Sequence, residues 1–254
     1  MGKQIAARLF QNRLALYVIL LAVEFLFMVI NWLNAQFRDS TDGWELKISF
    51  IDNHLIPGGW WLIPYTVGFF FAGLIPLWAM LHMPNKLYRQ YLLAMITAAL
   101  ASYAIYILLP TYVTKPAPDQ VPGQDFLART LRRSYEVDAA TSTHNAAPSQ
   151  HVFYALLNMC FMIRFRPRLR VFFTWVILAA LITVSTVTTR RHNMPDLISG
   201  YVMAVGMYYV GLRLGSRITN WLGDEDGPIH LPPFAAWIQR YGLPPSPSRS
   251  YEIN

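Results

Sequence analysis

Residues 14–33 form an apolar run of twenty residues, interrupted only by Glu24, Asn31 and Trp32. An α-helix needs roughly 20 such residues to cross the hydrocarbon core of a bilayer. Five further apolar blocks follow, at about 60–81, 91–109, 149–165, 171–188 and 194–214. Lipid offers the backbone no hydrogen bonds, so blocks of this kind fold as helices that satisfy their own N–H and C=O groups. The expected fold is all-α: a polytopic membrane protein built as a six-transmembrane-helix bundle. The first run is too long for a signal-peptide core and no small-residue cleavage site follows it, so it reads as an uncleaved first helix. Glu24 is costly in hydrocarbon and is expected to face the bundle, where a functional and a helix-packing role are both open.

Only 14% of the 254 residues are charged and 54% are hydrophobic, against about 25% charged in an ordinary soluble domain. The net charge is +7, but the basic residues gather between the apolar blocks, where lipid topology accounts for them better than nucleic acid does. Lys3, Arg8 and Arg13, the 82–89 loop, the cluster Arg164, Arg166, Arg168 and Arg170, and Arg213 with Arg217 all fall on one side of a six-span chain. The connections 38–57 and 110–147 fall on the other. The positive-inside rule then places both termini in the cytoplasm of an integral plasma (inner) membrane protein. Residues 1–217 are expected to form the membrane catalytic domain, and 218–254 a partly disordered cytoplasmic tail rich in proline and serine near its end. Cys160 is the single cysteine, so no intramolecular disulfide can form.

Two polar stretches interrupt the apolar pattern on the outer side. In Thr189-Arg190-Arg191-His192-Asn193-Met194-Pro195-Asp196, a histidine and an aspartate lie four residues apart where two spans meet. With Asn193 as cap and Pro195 in the first turn, both side chains can share one helix face. A carboxylate on one imidazole nitrogen leaves the other free to act as nucleophile, and neighbouring arginines suit phosphate oxygens. In Asn145-Ala146-Ala147-Pro148-Ser149-Gln150-His151-Val152, proline beside a small hydroxyl residue opens an apolar run, a helix-start signal. The free N–H groups and dipole of that helix end favour an anion, and His151 lies in its first turn.

Together with Lys115-Pro116, these stretches resemble the type 2 phosphatidic acid phosphatase superfamily, whose pattern is K-x6-R-P, P-S-G-H and S-R-x5-H-x3-D. Pro148-Ser149-Gln150-His151 departs from the second element only at Gln150. His192-x3-Asp196 matches the third, with Ser185 seven residues upstream of His192. Thr186 stands where the pattern has arginine, and Leu108 where it has the upstream lysine. Pro110-Thr111-x3-Lys115-Pro116 and Ser185-Thr186-x3-Arg190-x-His192-x3-Asp196 look more like the branch that includes inositol phosphorylceramide synthases. The resemblance implies an integral membrane lipid-phosphate phosphatase with a phosphohistidine intermediate at the extracytoplasmic face; the alternative is a lipid phosphotransferase. His192 would be the nucleophile, Asp196 its support and His151 the acid. Lys115, Ser149, Gln150, Arg190 and Arg191 would hold the phosphate of a membrane lipid, with no metal or other cofactor. Lys115 and Arg191 could equally anchor at lipid headgroups. Competing readings are a zinc hydrolase using His144, His151, His192 and Asp196, and a transporter or scaffold without catalysis. His144, Asn145 and Asp138 read as loop residues, and the lipid itself is not legible in generic apolar side chains.

Overall fold

The computed structural model describes residues 9–39, 42–141 and 144–223; Lys3, Arg8 and the expected tail from residue 224 onward lie outside them. Eight helices carry the description that follows: α1 (Arg13–Phe37), α2 (Ser49–Asp52), α3 (Leu62–His82), α4 (Asn85–Leu108), α5 (Phe126–Thr141), α6 (Gln150–Phe165), α7 (Leu169–Thr188) and α8 (Met194–Leu222). Among the described residues there is no strand. Isolated parallel bridges join Trp44 to Thr111 and Thr111 to Asn145.

Helices α1, α3, α4, α7 and α8 are long and apolar enough to cross a membrane. The expected fourth span, α6, has 16 residues, about 24 Å at the usual helical rise. It still runs from the site end of the bundle to the other, where the Arg166 guanidinium lies 6.0 Å from the Trp78 ring. Its face from Val152 to Met162 is buried almost continuously. A helix enclosed by other helices need not match the lipid thickness. With α4 it forms the core, and the Tyr91 hydroxyl of α4 donates to Asn158 of α6. The outer helices turn large apolar residues such as Val18, Phe70, Phe173 and Val202 outward, the surface a bilayer requires.

Without a hydrophobic drive between helices in lipid, close backbone approach supplies the contact. Gly211 and Gly215 of α8 provide it against α4: a Cβ at Gly211 would sit 2.5 Å from the Gln90 carbonyl oxygen, and one at Gly215 2.6 Å from Gln90 Cα. At the other end of α8, a Cβ at Gly200 would lie 3.0 Å from the Ser149 carbonyl. That approach seats the start of α6 on the start of α8 and so brings the two polar motifs together. At the opposite end, Arg13 donates to the carbonyls of Ala79 and Met83, at 2.9 and 2.7 Å, and ties α1 to the α3–α4 turn. A residue read from sequence as a topology charge is thus also a buried structural contact.

Two features depart from the sequence reading. The 110–147 connection contains α5, whose Ala128, Leu131 and Tyr135 pack with Val121 and Leu62. Helix α8 continues to Leu222, past the expected domain end at 217.

Candidate active site

The turn between α7 and α8 is built as a rigid support. The N–H groups of Arg191 and His192 both donate to the Thr186 carbonyl, at 3.0 and 3.1 Å, closing the end of α7. Arg190 takes a left-handed φ of 52°, and its guanidinium turns away to the carbonyl of Asp52. The Asp52 carboxylate accepts from Ile48 N at 2.7 Å and from Met194 N at 3.0 Å. Asn193 Nδ2 donates to the Leu46 carbonyl at 3.0 Å, and Gly58 N to that of Thr188 at 3.1 Å. The first outer connection, through α2, is therefore a strap across the His192 turn. On the other flank, Tyr135 of α5 donates to the Thr189 carbonyl at 2.7 Å.

The start of α6 is fixed from three directions. Ser149 N donates to the Asp196 carbonyl at 3.1 Å, and the Tyr106 hydroxyl to the Pro148 carbonyl at 2.6 Å. Thr111 accepts from Ala147 N through its hydroxyl at 2.7 Å and from Ala146 N through its carbonyl at 3.0 Å. These bonds aim the Ala146 carbonyl at His192, whose Nδ1 lies 2.8 Å from it. A carbonyl only accepts, so Nδ1 carries the proton and Nε2 keeps its lone pair. Asp196 was expected to orient this ring; its Oδ2 lies 3.6 Å from Nδ1 and accepts from Asn193 N at 2.8 Å, half of a capping box. The nearer orienting group is thus a backbone oxygen.

His151 stacks on Tyr65 at 4.1 Å between centroids, and its ring centre is 6.4 Å from that of His192. Its Nε2 is buried without a protein partner, as are Ser149 Oγ, Gln150 Nε2 and Arg191 Nε. The first N–H groups of α6 have no intrahelical acceptor. Arg191 pairs with Asp138 and lies between the Tyr65 and Tyr135 rings, 5.7 and 5.9 Å from their centres. Lys115 Nζ donates to the Arg190 and Arg191 carbonyls at 3.3 and 3.1 Å.

A cavity of about 570 Å³ joins these groups: His151, His192, Lys115 and Arg191 line one part, and Phe25, Met28, Phe69 and Ala72 much of the rest. Arg190 and Ser149 do not line it, and Ser149 is fully buried at the helix cap. Among the described residues no three His, Cys, Asp or Glu converge to hold a metal ion, so the zinc set considered from sequence is not assembled. Asp52, Tyr65, Asp138 and the Ala146 carbonyl are site residues that sequence reasoning missed. Thr111 carried a signal as part of Pro110-Thr111-x3-Lys115.

A family model described as the PAP2 superfamily matches residues 43–210, from the strap through most of α8. The chain belongs to the PAP2 superfamily. Membership implies phosphatase or phosphotransferase chemistry in a membrane, and the matched residues contain every segment of the site except α1. No curated protein and no solved structure matches the chain.

Burial, then the neighbouring Arg191 charge, lowers the Lys115 ammonium from the usual lysine value to about 7. A lowered lysine loses its proton as pH rises through that value, and its attraction for a phosphoryl dianion goes with it. With Lys115 as a phosphate contact, kcat/KM is expected to fall as pH rises above about 7, with kcat less affected because bound dianion re-protonates the amine. Lys115→Arg keeps its charge and should lose this alkaline inflection. A pH profile of the wild type and the variant with a soluble phosphate ester checks it.

Proposed function

We propose that the chain is an integral membrane lipid-phosphate phosphatase acting through a phosphohistidine at the extracytoplasmic face. The observation that carries this reading is the convergence of His192, His151, Lys115 and Arg191 on one cavity whose far wall is largely apolar. His192 Nε2 attacks phosphorus while the Ala146 carbonyl and Asp196 stabilise the charge that develops on its ring. The phosphorus–oxygen bond to the alcohol breaks, and His151 Nε2 gives its proton to the departing oxygen. Lys115, Arg191 and the free N–H groups of Gln150 and His151 balance the phosphoryl oxygens, the main source of catalysis in phosphoryl transfer. His151 then takes a proton from water as it attacks the phosphohistidine, releasing phosphate and restoring His192. Arg190 acts by holding the turn through Asp52, and Ser149 by capping α6.

Transfer to an alcohol is the second reading, favoured by the resemblance of Ser185-Thr186-x3-Arg190-x-His192-x3-Asp196 to the inositol phosphorylceramide synthase-like branch. Purified protein with labelled phosphatidate, with and without glycerol, inositol and diacylglycerol, separates the two. Free phosphate should form faster than any transfer product; the reverse order overturns hydrolysis.

The outer-face assignment rests on the basic loops at the end opposite the site. Gln124 is exposed in the long connection. Gln124→Cys, on a Cys160→Ser background, should react with an impermeant maleimide in intact cells; labelling only after permeabilisation inverts the orientation.

A further inference from the structure

The cavity is much larger than a phosphoryl group needs, and about 570 Å³ is within the roughly 300–1,000 Å³ of a site for a drug-sized ligand. Its lipid-side wall is not uniformly apolar. Glu24, Met28 and Asn31 of α1, at helical i, i+4 and i+7 spacing, face it together. The Tyr154 hydroxyl donates to Glu24 Oε1. Tyr154 follows His151 by three residues, so it lies about 4.5 Å further along α6, away from the site end. Gln150 lines the same space with an unpartnered Nε2. Asn31 accepts from Asn145 Nδ2 at 3.0 Å, which fixes α1 against the loop that carries the Ala146 carbonyl.

Such a cluster is unnecessary for a purely hydrocarbon chain. A carboxylate kept at the membrane side of a cavity is costly unless it meets donors, and Tyr154 supplies only one. In the proposed mechanism the alcohol oxygen leaves beside His151, and Tyr154, three residues on along the same helix face and bonded to Glu24, is the next polar group on that wall. We infer that Glu24, Tyr154 and Gln150 form a second polar subsite for a hydroxyl or amide carried by the substrate's alcohol fragment within a few bonds of the phosphate: Glu24 accepts from its donor, and Gln150 Nε2 donates to its oxygen. The preferred lipid phosphate then has a hydroxyl or amide N–H next to its headgroup. A polyprenyl chain, with no such donor, leaves the subsite unpaired. Glu24 and Asn31 lie outside residues 43–210, so the α1 side of this wall is not part of the matched region.

The inference rests on the phosphatase reading, and its test keeps the two apart. Phosphate release is measured from 1-acylglycerol 3-phosphate, from its 2-deoxy analogue with the same acyl chain, and from phenyl phosphate. The hydroxyl lipid should exceed its deoxy analogue in kcat/KM by roughly tenfold or more, the worth of one well-placed hydrogen bond in a desolvated site. In Glu24→Gln, whose amide oxygen still accepts from Tyr154 but whose nitrogen opposes a donor, the ratio should fall toward one. Tyr154→Phe should lower it as well. Because the ratio is taken on the active fraction of each preparation, partial misfolding does not disguise it. Equal rates for the two lipids in the wild type, or a ratio untouched by Glu24→Gln, overturns the subsite while leaving phosphatase activity standing. No release from any of the three compounds removes the phosphatase reading and the subsite with it.

Discussion

His192→Ala is expected to abolish both turnover and phosphoenzyme, whereas His151→Ala loses turnover of lipid substrates but still forms phosphoenzyme from an activated ester. The asymmetry follows from the two environments. His192 Nδ1 is committed to the Ala146 carbonyl at 2.8 Å, which leaves Nε2 as the only nitrogen able to reach phosphorus. No other side chain replaces a missing nucleophile, so the loss should be at least about 10⁴-fold in kcat/KM, as for nucleophiles in other covalent mechanisms. His151 makes no hydrogen bond through Nε2 and is held by stacking on Tyr65, an arrangement that leaves this nitrogen free to meet the leaving oxygen. An alcohol of high pKa needs that proton; p-nitrophenol does not. With p-nitrophenyl phosphate, His151→Ala should recover one to two orders of magnitude of the deficit it shows with lipid. Acid-labile, base-stable label should remain on the protein. Equal rescue of both variants by the activated ester would sink the assignment.

The apolar blocks could be read directly because lipid leaves the backbone no choice but helices, and the H-x3-D and P-S-x-H elements because each lies at a helix start. The helix limits were less legible. α6 is shorter than a lipid-exposed span because it is enclosed by other helices, a tertiary circumstance with no local signal. α5 carries its apolar face within the 110–147 connection, where charged residues interleave with Ala128, Leu131 and Tyr135 and hide the helical period. Arg190 shows the limit for side chains. Its position in the motif suggests a phosphate contact, but the left-handed backbone at φ 52° aims it at the strap and leaves Arg191 facing the cavity. The Ala146 carbonyl that orients His192 is invisible in sequence because every residue has a carbonyl; only the fold decides which one points at an imidazole.

Asp52→Ala should lower kcat by about 10²-fold while touching no substrate. The carboxylate is fully buried and receives the N–H groups of Ile48 and Met194; its own carbonyl receives Arg190. Removing it strands two part-buried donors, each costing less than the roughly 1–3 kcal/mol of a fully buried one, and frees the Met194 end of the turn that carries His192. A displacement of about 1 Å in a positioned nucleophile can cost around 10²-fold. Because the substrate contacts remain, KM should change less than kcat. Asp52→Asn retains one acceptor oxygen, enough for one of the two N–H groups, so its kcat should fall between the wild type and the alanine variant. The measurement is kcat and KM for p-nitrophenyl phosphate at a temperature where thermal melts show both variants folded. A folded Asp52→Ala protein with wild-type kcat would mean that the strap only covers the site, and that the α7–α8 turn holds His192 without it.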